Sequence, residues 1–472
     1  MKKMASRQRM GSRSAVRRTA IIALAVGSLV AGCGNDVTVT GGANPGGPGN
    51  PSALATGAQT AVEARARQVL ATPTMQAAIE KVEQLYAADP LGSTPTGKAT
   101  IDRAANSIGA AAVLEAITWS RTSNPVPVWA TTAAHDYHGL SMPDSGYGIE
   151  NPDNVYRDAA FDPHSTYEIH GVRHNPGPTQ LNFEMRDAIP GTTVFNSEAG
   201  TQIDSLSDDK ITFAPDGSFT ITVSADGQPG TPNHLLIQKD KPSWLAVRDL
   251  LNDWGTENPV DLEIKRVSGK TAPSAPSTDD LAHQAAQTLS TTAPFWLKYF
   301  NTYVYAHPTN TLVPAWGRPG GRGEASYGSF GLADDQAMVI TLDPTGFKSM
   351  GIQLTDPWGV AYEYRTKTSS LNTTQATPNP DGTYTYVISK NDPGIANWLD
   401  PDGHTAGMVS LRWQQSIPGQ TSSPSQAVRA VAIVKLSDLS SKLPTGFPTV
   451  TPQQRADQQA RRAIAYDHRI TG

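Results

Sequence analysis

The chain has a single cysteine, Cys33, in 472 residues, so no intramolecular disulfide can form and packing alone must hold the fold. After its N-terminal segment it has no second long apolar run, and so no signal for a membrane-spanning helix. Basic charge is also short, with 38 Lys and Arg against 43 Asp and Glu. No basic stripe with interleaved aromatics occurs, which removes nucleic acid from the expected partners. Named catalytic motifs are missing too. Gly328-Ser329-Phe330-Gly331 has the wrong spacing for a nucleophile elbow, and no His-Glu-x-x-His is present. Gly92 to Lys98 nearly spells a phosphate loop, but Ala99 stands where the magnesium-binding hydroxyl belongs. Asp400-Pro401-Asp402-Gly403 lacks the later ligands of a calcium loop. Neither a cofactor nor a metal is expected.

What is present starts at the N-terminus. Lys2, Lys3, Arg7, Arg9, Arg13, Arg17 and Arg18 precede an apolar stretch from Ile21 to Val30, and Val30-Ala31-Gly32-Cys33 closes it. A basic start, a short apolar region and small residues before a cysteine form the pattern of a bacterial lipoprotein signal, here residues 1–32. A lone cysteine more often packs in a core. Cys33 instead stands ahead of a Gly/Pro/Asn-rich stretch that buries nothing, so it is the expected lipidation site and residues 33–53 the flexible tether. The expected location is the cell membrane, lipid-anchored on its extracytoplasmic face, where several acyl chains hold firmly. Arg17-Arg18 leaves the export route open between the general secretory and twin-arginine systems.

Residues 54–124 read as a helical segment, with apolar residues at helical spacing from about Thr56 to Ala87 and from Thr100 to Trp119. After Pro125 short alternating runs such as Thr166 to His170 and Gln180 to Met185 read as strands. Pro215-Asp216-Gly217-Ser218-Phe219-Thr220 returns as Pro380-Asp381-Gly382-Thr383-Tyr384-Thr385, and both copies run on to Asn233-His234-Leu235 and Asn397-Trp398-Leu399. Asp-Gly supplies the positive backbone angle of a tight turn. Upstream, Phe161-Asp162-Pro163 parallels Leu342-Asp343-Pro344. The reading is a mainly β chain with accessory helices (α+β), with two β-sandwich or jelly-roll-like domains related by internal duplication at 125–270 and 310–440. A helical connector at 271–309 separates them, broken or kinked at 291–294, and a tail at 441–472 carries a terminal helix from Pro452 to about Tyr466.

Several segments resemble the bacterial domain of unknown function 1214 and its companion 1254. They are Asn151-Pro152-Asp153-Asn154-Val155-Tyr156, Asp392 to Asp400 with Gly403, Leu411-Arg412-Trp413, and Pro444 to Pro452. The resemblance implies β-sandwich domains with accessory helices and supplies no reaction.

Five histidines fall between His135 and His174. On a strand, His170 and His174 share a face about 13 Å apart, too far for one metal. His135 and His138 could meet across a turn with Asp136, the candidate catalytic cluster of a hydrolase. A binding surface is expected at Asn151, Asp153, Asn154 and Tyr156 and at Asn397, Trp398 and Asp400, where amides and carboxylates offer hydrogen bonds and aromatic rings could stack on a sugar. The leading expectation is a lipid-anchored binding module for an extracytoplasmic glycan or lipid. An envelope hydrolase and a structural or assembly protein are the alternatives.

Overall fold

The computed structural model describes residues 52–269 and 275–471; Cys33, the signal and nearly all of the tether lie outside them. Helices α1 (Gly57–Leu70), α2 (Pro73–Ala88), α3 (Pro95–Trp119) and α4 (Thr278–Tyr303) each start at a hydroxyl cap. Thr56, Thr72, Thr94 and Ser277 accept a hydrogen bond from the amide three residues on. The single helix expected from Thr56 to Ala87 is therefore two. Thr72 caps and Pro73 starts α2, because proline has no amide to continue the α1 ladder. Conversely, α4 runs unbroken through Pro294, where a break was expected. Its apolar stripe from Leu281 to Phe300 packs into one core with α1, α2 and α3, and that burial outweighs the lost hydrogen bond. Gly92 and Ser93 form a 3-10 turn and Thr94 caps α3, which disposes of a phosphate loop.

The first strands are β1 (Val128–Thr131), β2 (His135–Tyr137), β3 (Leu140–Met142), β4 (Asn154–Phe161), β5 (Thr166–Val172), β6 (Gln180–Arg186), β7 (Gln202–Ser207), β8 (Ser218–Ser224), β9 (His234–Leu236), β10 (Ser243–Leu250) and β11 (Asp261–Ser268). After α4 come β12 (Thr311–Leu312), β13 (Trp316–Gly317), β14 (Glu324–Gly331), β15 (Gln336–Leu342), β16 (Phe347–Thr355), β17 (Ser370–Asn372), β18 (Tyr384–Ile388), β19 (Trp398–Leu399), β20 (Ala406–Ser416) and β21 (Val428–Lys435). A one-turn helix α5 (Pro424–Ala427) precedes β21, and α6 (Pro452–Thr471) ends the described chain.

The first sandwich pairs a large sheet, β1-β4-β10-β6-β7, with a small one, β11-β5-β8-β9. The second pairs β12-β14-β20-β16-β17 with β21-β15-β18-β19. Apart from the β2–β3 hairpin and β13, the strands correspond one to one in chain order. Even the one parallel pair recurs, β8 with β9 and β18 with β19. Both Pro-Asp-Gly turns sit before the corresponding strand, with Gly217 at φ 82° and Gly382 at φ 83°. In each, the Asp side chain accepts the amide two residues on, at 3.0 Å. Asn233 and Asn397 both adopt φ 53° and donate to the carbonyls of Thr220 and Thr385, at 2.8 and 3.0 Å. The upstream parallel is a correction: Asp162 lies in the β4–β5 turn, whereas Asp343 lies between β15 and β16. Each carboxylate caps its own turn, so the likeness is turn chemistry.

Each sandwich has its own apolar core, built around Phe161, Ile169, Phe183 and Ile221 in the first and Ile340, Ile352, Tyr386 and Leu411 in the second. The large sheets turn polar faces toward each other. In β6, Leu181, Phe183 and Met185 enter the first core while Gln180, Asn182, Glu184 and Arg186 take the opposite face, and all seven residues are buried. Gln180 and Asn182 donate to the carbonyls of Gly321 and Gly320, at 3.0 and 2.7 Å, which ties the 318–322 loop of the second sandwich to the first. Helix α6 spans the joint with arginines seven apart. Arg455 donates to Asp392 and to the Ile395 carbonyl, Arg462 to the Tyr364 carbonyl and Ser370, and Arg469 to the Pro152 carbonyl. Ser52 in turn donates to the carbonyl of Arg469 at 3.0 Å.

Candidate functional site

The histidine cluster does not assemble. His135 is buried, with Nδ1 at 2.9 Å from the Ala133 carbonyl and Nε2 at 3.3 Å from Glu63, and its ring stacks on Trp129. Asp136 is exposed beside it, and His138 stands exposed at the hairpin tip with φ 50°. His135 thus docks α1 onto the first sandwich, and Asp136 and His138 have no shared target. His170 is on β5, but His174 lies past its end and pairs with Asp261 at 2.8 Å, so the shared strand face expected for the two is not formed. No group of three metal-ligating side chains occurs among the described residues.

The two expected binding segments lie apart. Asn397 ties the β18–β19 crossover to the Thr377 and Thr385 carbonyls. Trp398 is 5% exposed, donates to the Ser389 carbonyl and is covered by the Arg455 guanidinium. Asp400 is buried and caps its own turn at the Asp402 amide. These three serve the second sandwich and offer no face to a sugar, which corrects that expectation. Asn151 and Asp153 brace the joint instead. Asn151 donates to Gln414 at 3.0 Å, and Asp153 accepts from Trp254 and Asn372 at 2.9 and 2.7 Å.

Asn154 and Tyr156, by contrast, line a cavity of about 150 Å³ between the two large sheets. Strand alternation builds its wall. Asn154, Tyr156 and Asp158 come from β4, Gln180, Asn182 and Arg186 from β6, and Trp244, Ala246 and Arg248 from β10. The second sandwich adds Arg412 and Gln414 from β20 and Arg318 and Arg322 from the loop before β14. Trp296 of α4 closes one side. Gly148 and Gly191, both at positive φ, lie so close that a Cβ would meet the indole at 3.0 Å.

Five guanidinium groups thus converge here, and four of them share two carboxylates. Glu184, fully buried, pairs with Arg186, with Arg248 at 2.5 Å and with Arg322 at 3.8 Å. Glu198 pairs with Arg322 and, at 3.6 Å, with Arg318. Arg412 has no ion pair among the described residues and donates only to Ser410 Oγ and the Leu411 carbonyl. The electrostatics follow from this surplus. Burial alone would raise the Glu184 carboxyl, but Arg248, Arg322 and Arg186 outweigh it and hold it well below the usual range. Burial, then repulsion from Arg322 and Arg412, brings Arg318 down to about 9 despite Glu198. Arg412 is lowered by burial and, less, by Arg322 and Arg248, against the pull of Tyr156 and Tyr299. Burial is the larger cause for both and the crowding of cations adds to it, whereas Arg248, faced by Glu184, is raised.

The acids on the far side behave oppositely. Burial pushes Asp158 up to about 7 against the attraction of Arg248, and Glu115, which accepts the Tyr147 hydroxyl, up to about 8. The sequence reading missed every arginine of this site. Their one local signal was the Asn182, Glu184, Arg186 alternation, which reads as an ordinary solvent face.

No family model matches the chain, and no curated protein matches it. Among solved structures, an uncharacterised protein from Burkholderia cenocepacia superposes with TM-score 0.61 at 24% identity, over 79% of this chain and 99% of that one. A protein of Vibrio parahaemolyticus aligns at TM-score 0.37 and 12% identity, over 61% of this chain and 90% of that one. The first likeness shows that this mainly β, helix-decorated fold occurs in another protein.

Proposed function

We propose that this is a lipid-anchored envelope protein that binds a small anion in the cavity between its two sandwiches. One observation carries the reading: five arginines converge on one cavity where only Glu184 and Glu198 pair with them, while burial holds a third nearby acid, Asp158, up at about 7. Guanidinium groups bind carboxylate and phosphate in a planar fork, and a low-dielectric pocket strengthens each such bond. The cavity is of the size that holds a benzene ring elsewhere, so it takes the charged end of a glycan or lipid and not its length. Membrane attachment rests on Cys33 and the signal before it, and kinship with the 1214 and 1254 domains on the segments already named. A hydrolase centred on His135, Asp136 and His138 has no converging geometry to support it.

Calorimetric titration of the full chain with sulfate, phosphate and succinate tests the reading. Binding of at least one, weakened at least tenfold in Arg412→Ala with the fold intact, is expected. Absence of binding by all three, with no shift in melting temperature, would overturn it. For the anchor, Cys33→Ala should leave unprocessed, unacylated precursor; continued acylation would refute the assignment.

A further inference from the structure

The cavity holds more than positive charge. Asn154 and Asn182 line it, are 6% and 1% exposed, and each has a side-chain oxygen that no protein donor reaches. The orientation of Asn182 is fixed, because its amide nitrogen donates to the Gly320 carbonyl at 2.7 Å, so its oxygen must face the other way. Beside Asn154 stands Tyr156, whose oxygen accepts the Asn151 amide at 2.9 Å, and Arg248 separates it from Asn182 across the sheet. On the arginine side, Arg186 Nε and Trp296 Nε1 are buried donors without acceptors.

A bare anion would satisfy the donors and leave both amide oxygens stranded, and a buried polar group without a partner is costly. A neutral polyol would do the reverse. Resting on the anion reading above, the geometry points to a polyhydroxylated anion as the ligand: a three- or four-carbon hydroxy acid, or a glycerol phosphate such as a lipid headgroup carries. Its acid group meets Arg318, Arg322 and Arg412, and its hydroxyls donate to Asn154 and Asn182. The cavity volume limits it to about ten non-hydrogen atoms.

Isosteric pairs read this directly on the full chain: tartrate against succinate, and glycerol 3-phosphate against propyl phosphate. Each pair differs only in hydroxyls. The hydroxylated member is expected to bind on the order of tenfold or more tighter, and the tighter of tartrate and glycerol 3-phosphate identifies the source. Asn154→Ala should shrink that ratio toward one while succinate affinity stays within about twofold. It is the cleaner variant, because the Asn154 amide makes only a 3.5 Å contact with Tyr156, whereas Asn182 also holds the loop. Equal binding within both pairs would overturn the hydroxyl inference and leave the anion site standing. Binding of none of the four would remove both.

Discussion

The two sandwiches share a strand order and differ in what they put on the facing sheet. Strand β6 of the first brings Gln180, Asn182, Glu184 and Arg186 to the joint. Its counterpart β16 brings Ser349, Gly351 and Gln353, which contact Asn252, Asp153 and the Glu150 carbonyl of the first sandwich. The central strands each carry an arginine, but Arg248 lies between Tyr156 and Asn182 across the ladder, and Arg412 between Ala325 and Gly351. One copy supplies functional groups and the other mostly shape and charge. A duplicated scaffold can diverge in this way because the core face of each strand is left alone while every second residue changes.

The largest effect should come from the charge on β6. Glu184→Gln leaves Arg186, Arg248 and Arg322 without their shared buried partner, and about 3–5 kcal/mol of stability should be lost in urea unfolding. Added sulfate should restore part of it. A loss under about 1 kcal/mol would mean that the joint does not depend on this charge.

Next come the two Pro-Asp-Gly turns, alike in backbone and unlike in surroundings. A Cβ on Gly217 would lie 2.2 Å from the Arg173 carbonyl oxygen, while one on Gly382 would meet nothing within 4 Å. Gly382→Ala should cost about 1 kcal/mol for its positive φ alone, and Gly217→Ala about 2–3 kcal/mol. Equal melting temperatures for the two variants would erase the distinction.

The smallest effect separates Asp158 from the rest by pH. Burial raises this carboxyl from 3.8 to about 7, so between those values the folded protein keeps a proton that the unfolded chain has released. Stability from this group is full below about pH 4, falls as pH rises through the window and stays low above about 7. The shift carries roughly 4 kcal/mol at full weight. The Asp158 residue is only partly buried, so Asp158→Asn should gain on the order of 1 kcal/mol over the wild type at pH 8 and less at pH 4.5. Asp356, raised to about 7, and Glu115, to about 8, leave a residual slope of the same sign. A gain equal at both pH values would show that Asp158 does not titrate in this window.

The repeat was legible in the sequence because Asp216-Gly217 and Asp381-Gly382 dictate a turn through their own backbone angles. The same locality misled at Asp162 and Asp343, since Asp-Pro caps unrelated turns equally well. The helices were legible from their apolar spacing, but Pro294 shows that burial against three neighbours can override a local breaker. The site escaped for a different reason. Arg186, Arg248, Arg318, Arg322 and Arg412 are scattered along the chain, and the alternating polar residues of β6 look like a wet face until a second sandwich covers them. The histidines drew notice by density in sequence, which says nothing about convergence in space.

The contact between Ser52 and Arg469 makes the described chain close on itself, with Leu54, Tyr466 and Ile470 in one small apolar cluster. Any pull transmitted along the segment before Ser52 would therefore enter the last turn of α6 as well as α1. Because α6 grips both sandwiches through Arg455, Arg462 and Arg469, that load is divided between them at once.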